Sequence, residues 1–354
     1  MEFIYEYGLF LAQAITFVAA ILVVAASLVV IGQKQRSDLH EGHIEVRDLN
    51  DKYQQIGDSI EHLVVNPDVL KARRKAKKKA DKAEAKVHRK KLKKAPDAQD
   101  VDRRKCLYVL DFDGDIKASA TDNLREEISA VLLQTQPGDE IMVKVESPGG
   151  MVHGYGLAAS QLQRIRDAKV PLTIAVDKVA ASGGYMMACV ADRIIAAPFA
   201  VLGSIGVLAQ LPNFHKLLKK NDIDFELLTA GEYKRTLTMF GENTDKGREK
   251  FVEELEETHD LFKEFVQDNR PSLDVAKVAT GEVWYGRKAI DVGLIDELQT
   301  SDAFVQGRLK DWDIFEVKFV HKKNWQEKLG LAAESALEKS VLKIFQRGQQ
   351  RNSF

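Results

Sequence analysis

From residue 106 onward, short apolar runs alternate with segments long enough to form helices. Strands separated by helices usually pair in parallel, because a parallel connection needs a crossover that a helix can supply. The alternation therefore predicts an α/β domain with a largely parallel sheet. A long charged helix is predicted from Thr244 to about Asn269. The predicted strands are Cys106–Leu110, Ile141–Val145, Leu172–Val176, Arg193–Ala197 and Phe225–Leu228.

The N-terminus of the chain has a different character. Residues Gly8–Gly32 contain no charged side chain, and a stretch of about 20 apolar residues or more can cross a bilayer as a helix. The stretch exceeds the apolar core of about 7 to 15 residues in a cleaved signal peptide, and no basic segment precedes it. We therefore expect residues 1–39 to be an uncleaved membrane anchor with one span at about 8–32.

Charge is distributed unevenly along the chain. The formal net charge is -1, yet residues 71–94 carry fourteen Lys or Arg against Asp81 and Glu84. Such a run can bind anionic lipid or nucleic acid. Interleaved alanines favour a solvated helix, and the run has no aromatic side chain to stack on a base. We expect residues 40–100 to form a charged, helical region with a linker at 95–100, membrane lipid as a partner, and no specific nucleic acid.

Two short motifs predict the chemistry. Ser182, in Ala-Ala-Ser-Gly-Gly-Tyr, lies between a predicted strand and a predicted helix, and Lys234 lies in Gly-Glu-Tyr-Lys. A serine hydroxyl is a weak nucleophile that needs a base, and a lysine can serve only where burial keeps its amine neutral. The pair predicts acyl transfer without a catalytic histidine.

Two glycine-rich turns complete the predicted site. Ser147-Pro148-Gly149-Gly150 follows a predicted strand, and its glycines let backbone N–H groups approach a substrate carbonyl. Gly203-Ser204-Ile205-Gly206-Val207 supplies a second hydroxyl, on Ser204, that can orient Lys234. Each motif alone would indicate only a turn, so the prediction depends on their combination.

In this order and spacing, the four motifs resemble the signal peptide peptidase A family of serine peptidases, and its SohB-like branch in particular. The later segment from Gly281 to Asp296 resembles the closing motif of that family. The resemblance covers about Val101 to Leu298. It implies a crotonase/ClpP-like superfold, with a serine peptidase domain at 101–300. Residues 301–354 form a C-terminal extension, in which the apolar residues of 325–345 predict an amphipathic helix.

The resemblance also implies roles for individual residues. Ser182 matches the nucleophile, Lys234 the general base, and Ser204 the hydroxyl that orients the lysine. The N–H groups of Gly149 and Ser182 match the oxyanion hole. No metal or cofactor is implied, and the implied substrates are membrane-derived or signal-peptide-like peptides cut by a homo-oligomeric ring.

The resemblance places the peptidase on the bacterial inner membrane with a periplasmic catalytic domain. The charges that flank the predicted span favour the opposite side. Lys34 and Arg36 follow the span, whereas Glu2 and Glu6 precede it, and basic residues usually stay in the cytoplasm. The sequence therefore leaves the side open.

Several alternatives are open at this stage. A Ser-His-Asp triad would use His153 and Asp177 with Ser182. Asp111-Phe112-Asp113-Gly114-Asp115 is similar to a phosphohydrolase or calcium loop, but Ile116 stands where a calcium loop needs glycine, which favours a strand-end turn. A non-catalytic membrane scaffold and a crotonase-like acyl-coenzyme A enzyme are the remaining alternatives.

Overall fold

The structure is a computed structural model that describes residues 42–73, 75, 76, 79, 82, 83, 86 and 103–322. The chain divides into two compact units. One comprises 46–318, and the other comprises 1–45 and 319–354, of which 42–45 and 319–322 are described. The predicted span at 8–32, the linker at 95–100 and the amphipathic helix at 325–345 lie outside the described residues. Among the residues described, no helix combines the length and the apolar character needed to cross a bilayer.

Two sheets form the framework. The larger has seven strands in the order β1-β10-β2-β3-β4-β6-β9, with parallel pairing from β10 through β9. The smaller has the order β5-β7-β8, with β7 and β8 antiparallel. The strands are β1 Gly42–Asp48, β2 Cys106–Asp113, β3 Glu140–Glu146, β4 Leu172–Val176, β5 Val179–Ala181, β6 Arg193–Ala196, β7 Val201–Gly203, β8 Val283–Tyr285, β9 Glu297–Leu298 and β10 Asp313–His321.

Helices separate most of these strands, as the alternation predicted. The helices whose bounds both lie among the described residues are α1 Leu49–Val64, α2 Thr121–Leu132, α3 Val152–Asp167, α4 Gly183–Ala188, α5 His215–Lys220, α6 Asp245–Asn269, α7 Val275–Val278, α8 Gly286–Ala289 and α9 Ser301–Gln306. Residues 67–73 are also helical. The predicted long helix is confirmed as α6. Its start is fixed by Thr244, whose hydroxyl accepts a hydrogen bond from the Gly247 amide at 3.1 Å.

The central strands are apolar because both faces of the parallel sheet are covered. All five residues of β4 are buried, which is why the sequence shows a continuous apolar run there and not an alternation. Leu49, at the start of α1, packs in the same core cluster as Leu107, Met142 and Phe304. The four central predicted strands, from Cys106 to Ala197, are confirmed with shifts of at most a few residues at their ends.

Two predictions about secondary structure are wrong. Phe225–Leu228 is not a strand: its backbone is irregular and Leu228 is 90% exposed, so the apolar run has no sheet to cover it. Residues 42–48, predicted to be helical, form β1. The mostly exposed side chains of β1 leave no apolar signature, because an edge strand is defined by backbone pairing and not by burial.

Part of the charged N-terminal region lies in the same compact unit as the peptidase core. The Asn50 side chain donates hydrogen bonds to the carbonyls of Leu309 and Trp312 at 3.1 and 2.9 Å, and it accepts one from the Ile314 amide at 2.7 Å. These bonds attach α1 to the start of β10, although the sequence places the beginning of the folded domain near residue 101.

Candidate active site

Ser182 lies at a sharp turn between β5 and α4. Its backbone has φ 51° and ψ -118°, a conformation that is costly for a residue with a side chain. Its amide donates a hydrogen bond to the Gly203 carbonyl at 2.7 Å, and its carbonyl accepts one from Met186 at 2.9 Å. Within the described part of the chain, the half-buried Ser182 hydroxyl has no hydrogen-bond partner. The turn therefore leaves the hydroxyl of the predicted nucleophile free of hydrogen bonds to the described residues.

The Ser-Pro-Gly-Gly turn lies directly against Ser182. Gly149 has φ +92°, and a Cβ added there would lie 2.7 Å from the Ser182 Cβ and 2.8 Å from the Ala181 carbonyl oxygen. Both the conformation and the contact exclude any residue larger than glycine. The Ser-Pro-Gly-Gly turn and the Ser182 turn are therefore in direct backbone contact.

The amides that the resemblance assigned to the oxyanion hole already have acceptors. The Gly149 N–H donates to the Ser147 hydroxyl at 3.0 Å, and the Ser182 N–H donates to Gly203. The assignment to Gly149 and Ser182 therefore does not fit this geometry. In the same region, the amides of Gly150 and Gly183 have no hydrogen-bond acceptor among the described residues, and Gly183 is the first residue of α4, where helical amides lack an internal partner.

Tyr155, which the sequence analysis missed, supports both turns from beneath. It is completely buried, and a Cβ added to Gly183 would lie 2.4 Å from the Tyr155 ring. Its hydroxyl lies 2.5 Å from the Ser147 hydroxyl and donates to the Asp115 carbonyl at 2.7 Å. Burial raises the pKa of the Tyr155 hydroxyl, so it remains a neutral donor. A buried tyrosine on a helix that packs against the sheet gives no sequence signal of this role.

Ser204 follows β7 in a second strained turn. Ser204 has φ 51°, and its amide donates to the Glu282 carbonyl at 2.7 Å. Gly203, just before it, has φ +84°, and a Cβ there would lie 2.8 Å from the Trp284 ring. Because the Gly203 carbonyl also accepts from Ser182, this turn is bonded directly to the nucleophile turn.

Comparison with known proteins identifies the family. A sequence model described as Peptidase family S49 N-terminal matches residues 2–162, and one described as Peptidase family S49 matches residues 164–312. A protein named Probable protease SohB from Haemophilus influenzae is 48% identical over 347 residues, which cover 98% of this chain and 96% of that protein. The chain belongs to peptidase family S49. It is therefore a serine peptidase.

A second relative agrees with this membership. Putative protease SohB from Buchnera aphidicola subsp. Baizongia pistaciae is 46% identical, covering 92% of this chain and 93% of that protein. A solved structure of a 1510-N membrane-bound stomatin-specific protease, a mutant in complex with a substrate peptide, has a TM-score of 0.40 and 13% identity. It covers 64% of this chain and 96% of that chain.

The two S49 sequence models divide the active site between them. Their boundary falls inside α3, Val152–Asp167. The N-terminal part supplies the Ser-Pro-Gly-Gly turn and the C-terminal part supplies Ser182, Ser204 and Lys234. The candidate site of this S49 peptidase is thus assembled from both parts.

Lys234 stands apart from the other predicted site residues. It lies in an exposed turn, where its amide donates to the Gly231 carbonyl at 3.3 Å. Within the described part of the chain, its amine makes no hydrogen bond to Ser182 or Ser204. The neighbouring Glu232 instead forms an ion pair with Lys246 at 2.5 Å. The structure therefore brings together Ser182, Gly149 and the Ser204 turn, but not the predicted base.

The residues of the rival Ser-His-Asp triad do not meet. His153 is exposed on α3. Asp177 accepts hydrogen bonds from the Ser301 amide at 2.9 Å and from the Ser301 hydroxyl at 2.5 Å, at the start of α9. Asp177 therefore serves a helix start and does not orient a histidine.

The aspartate-rich segment 111–115 comprises the end of β2 and the strand-end turn that the sequence favours. Asp115 accepts hydrogen bonds from the Ser119 amide and hydroxyl and from the Lys117 amide, which lower the pKa of Asp115. The described residues contain no cluster of three or more His, Cys, Asp or Glu that could hold a metal. The turn instead supports the active site, since the Ile116 carbonyl accepts from the Met151 amide at 2.8 Å.

Proposed function

We propose that this serine peptidase uses Ser182 as its nucleophile and Lys234 as its general base, with Ser204 orienting the lysine. The observation that carries the proposal is the Ser182 turn. Its hydroxyl has no hydrogen-bond partner among the described residues, while its strained backbone is held by the Gly203 carbonyl at 2.7 Å. Strain that is retained at a strand-to-helix turn is typical of a functional position.

The chain itself can supply the groups for the reaction. Lys234 accepts the proton of Ser182 as the hydroxyl oxygen attacks the peptide carbonyl. The N–H groups of Gly150 and Gly183 hold the negative oxygen that forms, since Gly149 and Ser182 already donate elsewhere. Lys234 then gives the proton to the leaving amine. Water hydrolyses the acyl-enzyme, and the steps require no metal or cofactor.

The reaction requires Lys234 to leave water and approach Ser182. The segment that carries it is incompletely covered in the single chain, because Leu208, Leu217 and Leu228 are 79%, 57% and 90% exposed. Exposed apolar surface of this kind indicates a binding surface. We propose that a neighbouring copy in a homo-oligomeric ring covers this segment and so removes Lys234 from water.

We also propose a crotonase/ClpP-like superfold, an anchor at 8–32 in the bacterial inner membrane, contact with membrane lipid, and membrane-derived or signal-peptide-like substrates. The support is the apolar stretch Gly8–Gly32 and the order of the four motifs. We place the peptidase domain in the periplasm. Digestion of intact spheroplasts by added protease tests the side: degradation of the domain supports a periplasmic location, and protection contradicts it.

The proposed chemistry is tested with the full-length chain in detergent. Wild type, Ser182→Ala, Lys234→Ala and Lys219→Ala are incubated with β-casein, and cleavage is followed by mass spectrometry. Lys219 is the matched control, because it is an exposed lysine of the same segment that pairs with Asp224 at 3.4 Å. We expect cleavage by wild type and Lys219→Ala only.

The other outcomes separate the alternatives. Normal cleavage by Lys234→Ala would refute the proposed base. If folded wild type cleaves neither casein nor signal peptides, the scaffold alternative gains support. A coenzyme A-dependent rise in melting temperature would favour an acyl-coenzyme A enzyme, because a ligand that binds only the native state must stabilise it.

A further inference from the structure

A buried chain of hydrogen bonds runs beneath the Ser-Pro-Gly-Gly turn. The Gly149 N–H donates to the Ser147 hydroxyl oxygen at 3.0 Å, and the Ser147 and Tyr155 hydroxyls lie 2.5 Å apart. Tyr155 uses its one hydrogen for the Asp115 carbonyl at 2.7 Å. Ser147 must therefore donate to Tyr155, which gives every bond in the chain a fixed direction.

This chain of bonds is shielded from solvent. Ser147 and Tyr155 are both 0% exposed, so water cannot replace a missing partner. Hydrogen bonds in series strengthen one another in such an environment, and an unpaired member is costly. The arrangement fixes the orientation of the Gly149 amide more strongly than a solvated turn could.

Tyr155 also contacts both turns of the site, the Ser182 turn and the Ser-Pro-Gly-Gly turn, and so fixes the distance between them. Its ring lies beneath Gly183, at the start of α4, while its hydroxyl holds Ser147 in the facing turn. Gly149, two residues after Ser147 in that turn, lies against Ser182. The Tyr155 side chain therefore contacts the Ser182 turn and, through Ser147, fixes the position of the Ser-Pro-Gly-Gly turn that faces it.

We propose that Ser147 and Tyr155 are positioning residues of the peptidase: they hold the Gly149 amide inward, so that the next amide, that of Gly150, is left to receive the substrate carbonyl oxygen. This proposal rests on the proposed function, because it needs Ser182 to be the nucleophile. Neither hydroxyl touches the substrate. Their effect is confined to the placement of an oxyanion donor.

The test compares steady-state kinetics of full-length variants. The substrate is a quenched fluorescent peptide copied from the first β-casein site that wild type cleaves. Ser147→Ala and Tyr155→Phe each interrupt the chain of bonds, and we expect kcat to fall by about 10- to 100-fold, since a small misplacement near the reacting atoms has effects of that size. KM should change by less than about twofold, because an oxyanion donor acts mainly in the transition state. The double variant should lose no more than the worse single variant, since the two hydroxyls act as a unit.

Matched controls separate positioning from general destabilisation. Tyr108→Phe removes another buried tyrosine hydroxyl, bonded to Arg103 at 3.1 Å, and Ser301→Ala removes another buried serine hydroxyl, bonded to Asp177. Both should lower the melting temperature while kcat stays near wild type. Ser182→Ala should be inactive.

Each outcome is decisive. If Ser147→Ala and Tyr155→Phe keep the wild-type kcat, or lose no more kcat than Tyr108→Phe and Ser301→Ala, the positioning proposal is refuted. In that case an inactive Ser182→Ala still supports Ser182 as the nucleophile. If Ser182→Ala remains active, the proposed function itself has failed. Loss of kcat at constant KM in the two variants alone supports the proposal.

Discussion

Replacing Gly203 by alanine tests whether the Gly203 turn controls the nucleophile. The new Cβ would meet the Trp284 ring at 2.8 Å and the Glu282 carbonyl at 3.2 Å, at a position with φ +84°. A left-handed backbone costs an alanine about 1–2 kcal/mol, and overpacking a filled site adds about 1–3 kcal/mol. The alanine also lowers the conformational entropy of the unfolded chain, which offsets about 0.4–1 kcal/mol of this loss. We therefore expect a net loss of about 1–4.6 kcal/mol of unfolding free energy, with a midpoint of about 3 kcal/mol.

Gly138 provides the matched control for this substitution. It has φ +99°, but an added Cβ would meet only the flexible Lys105 side chain, at 3.6 Å. Gly138 precedes β3, at the opposite end of that strand from the Ser-Pro-Gly-Gly turn. Gly138→Ala should cost about 1 kcal/mol, which is the backbone strain without the overpacking.

Urea unfolding and peptide cleavage measure the two effects. The Gly203 carbonyl must move away from Trp284 to admit a methyl group, and it carries the Ser182 amide with it. We expect kcat of Gly203→Ala to fall by about 10- to 100-fold, and kcat of Gly138→Ala to stay near wild type. Equal losses of stability and of kcat in the two variants would refute the argument that this turn positions Ser182.

Two further predictions follow from charged groups. Burial opposes ionisation of Asp296, but hydrogen bonds from Arg270 and the Ile194 amide, together with the Arg270 charge, outweigh it and lower the pKa of Asp296. Asp296→Asn should therefore cost about 2–3 kcal/mol at pH 7, less than a fully buried pair because the Asp296 side chain is 36% exposed. A lowered pKa of Asp296 stabilises the fold above about pH 4, and this stabilisation is lost as the pH falls through the pKa of Asp296 in the folded protein. The difference in urea midpoint between wild type and Asp296→Asn should therefore shrink at pH 3. A difference that does not change with pH would contradict a stabilising role for ionised Asp296. His153→Ala should keep most peptidase activity, because His153 is exposed and Asp177 is bonded to α9; loss of activity in a folded variant would restore the triad.

The strands that could be predicted from the sequence are those that are covered on both faces. β2, β3, β4 and β6 are covered on both faces, so each has an apolar run that marks it in the sequence. The same criterion gave a false strand at Phe225–Leu228, because an apolar run can also lie on irregular, exposed backbone. β1 was missed because edge pairing requires no apolar residue.

The candidate site was only partly predictable for a related reason. Motifs identified Ser182, Ser204 and the glycine turns, since short glycine-rich segments with a fixed order are visible in a sequence. The hydrogen-bond acceptors of individual amides are not visible in a sequence. The resemblance alone implies Gly149 and Ser182 as oxyanion donors, whereas in the structure their amides donate to Ser147 and Gly203. Tyr155 depends on three-dimensional packing alone.

The position of β10 in the sheet determines when the sheet can be completed during synthesis. β10 pairs with β2 from Asp313↔Cys106 onward, and Asn50 bonds to residues at its start. Pairings between distant segments form slowly, because the long loop must close first. Ser182 and Lys234 precede residue 313 in the chain, so they are synthesised before β10 can pair with β2. A nascent chain that ends before residue 313 exposes the unpaired edge of β2, so this hydrolase gains its finished framework only after β10 has been synthesised.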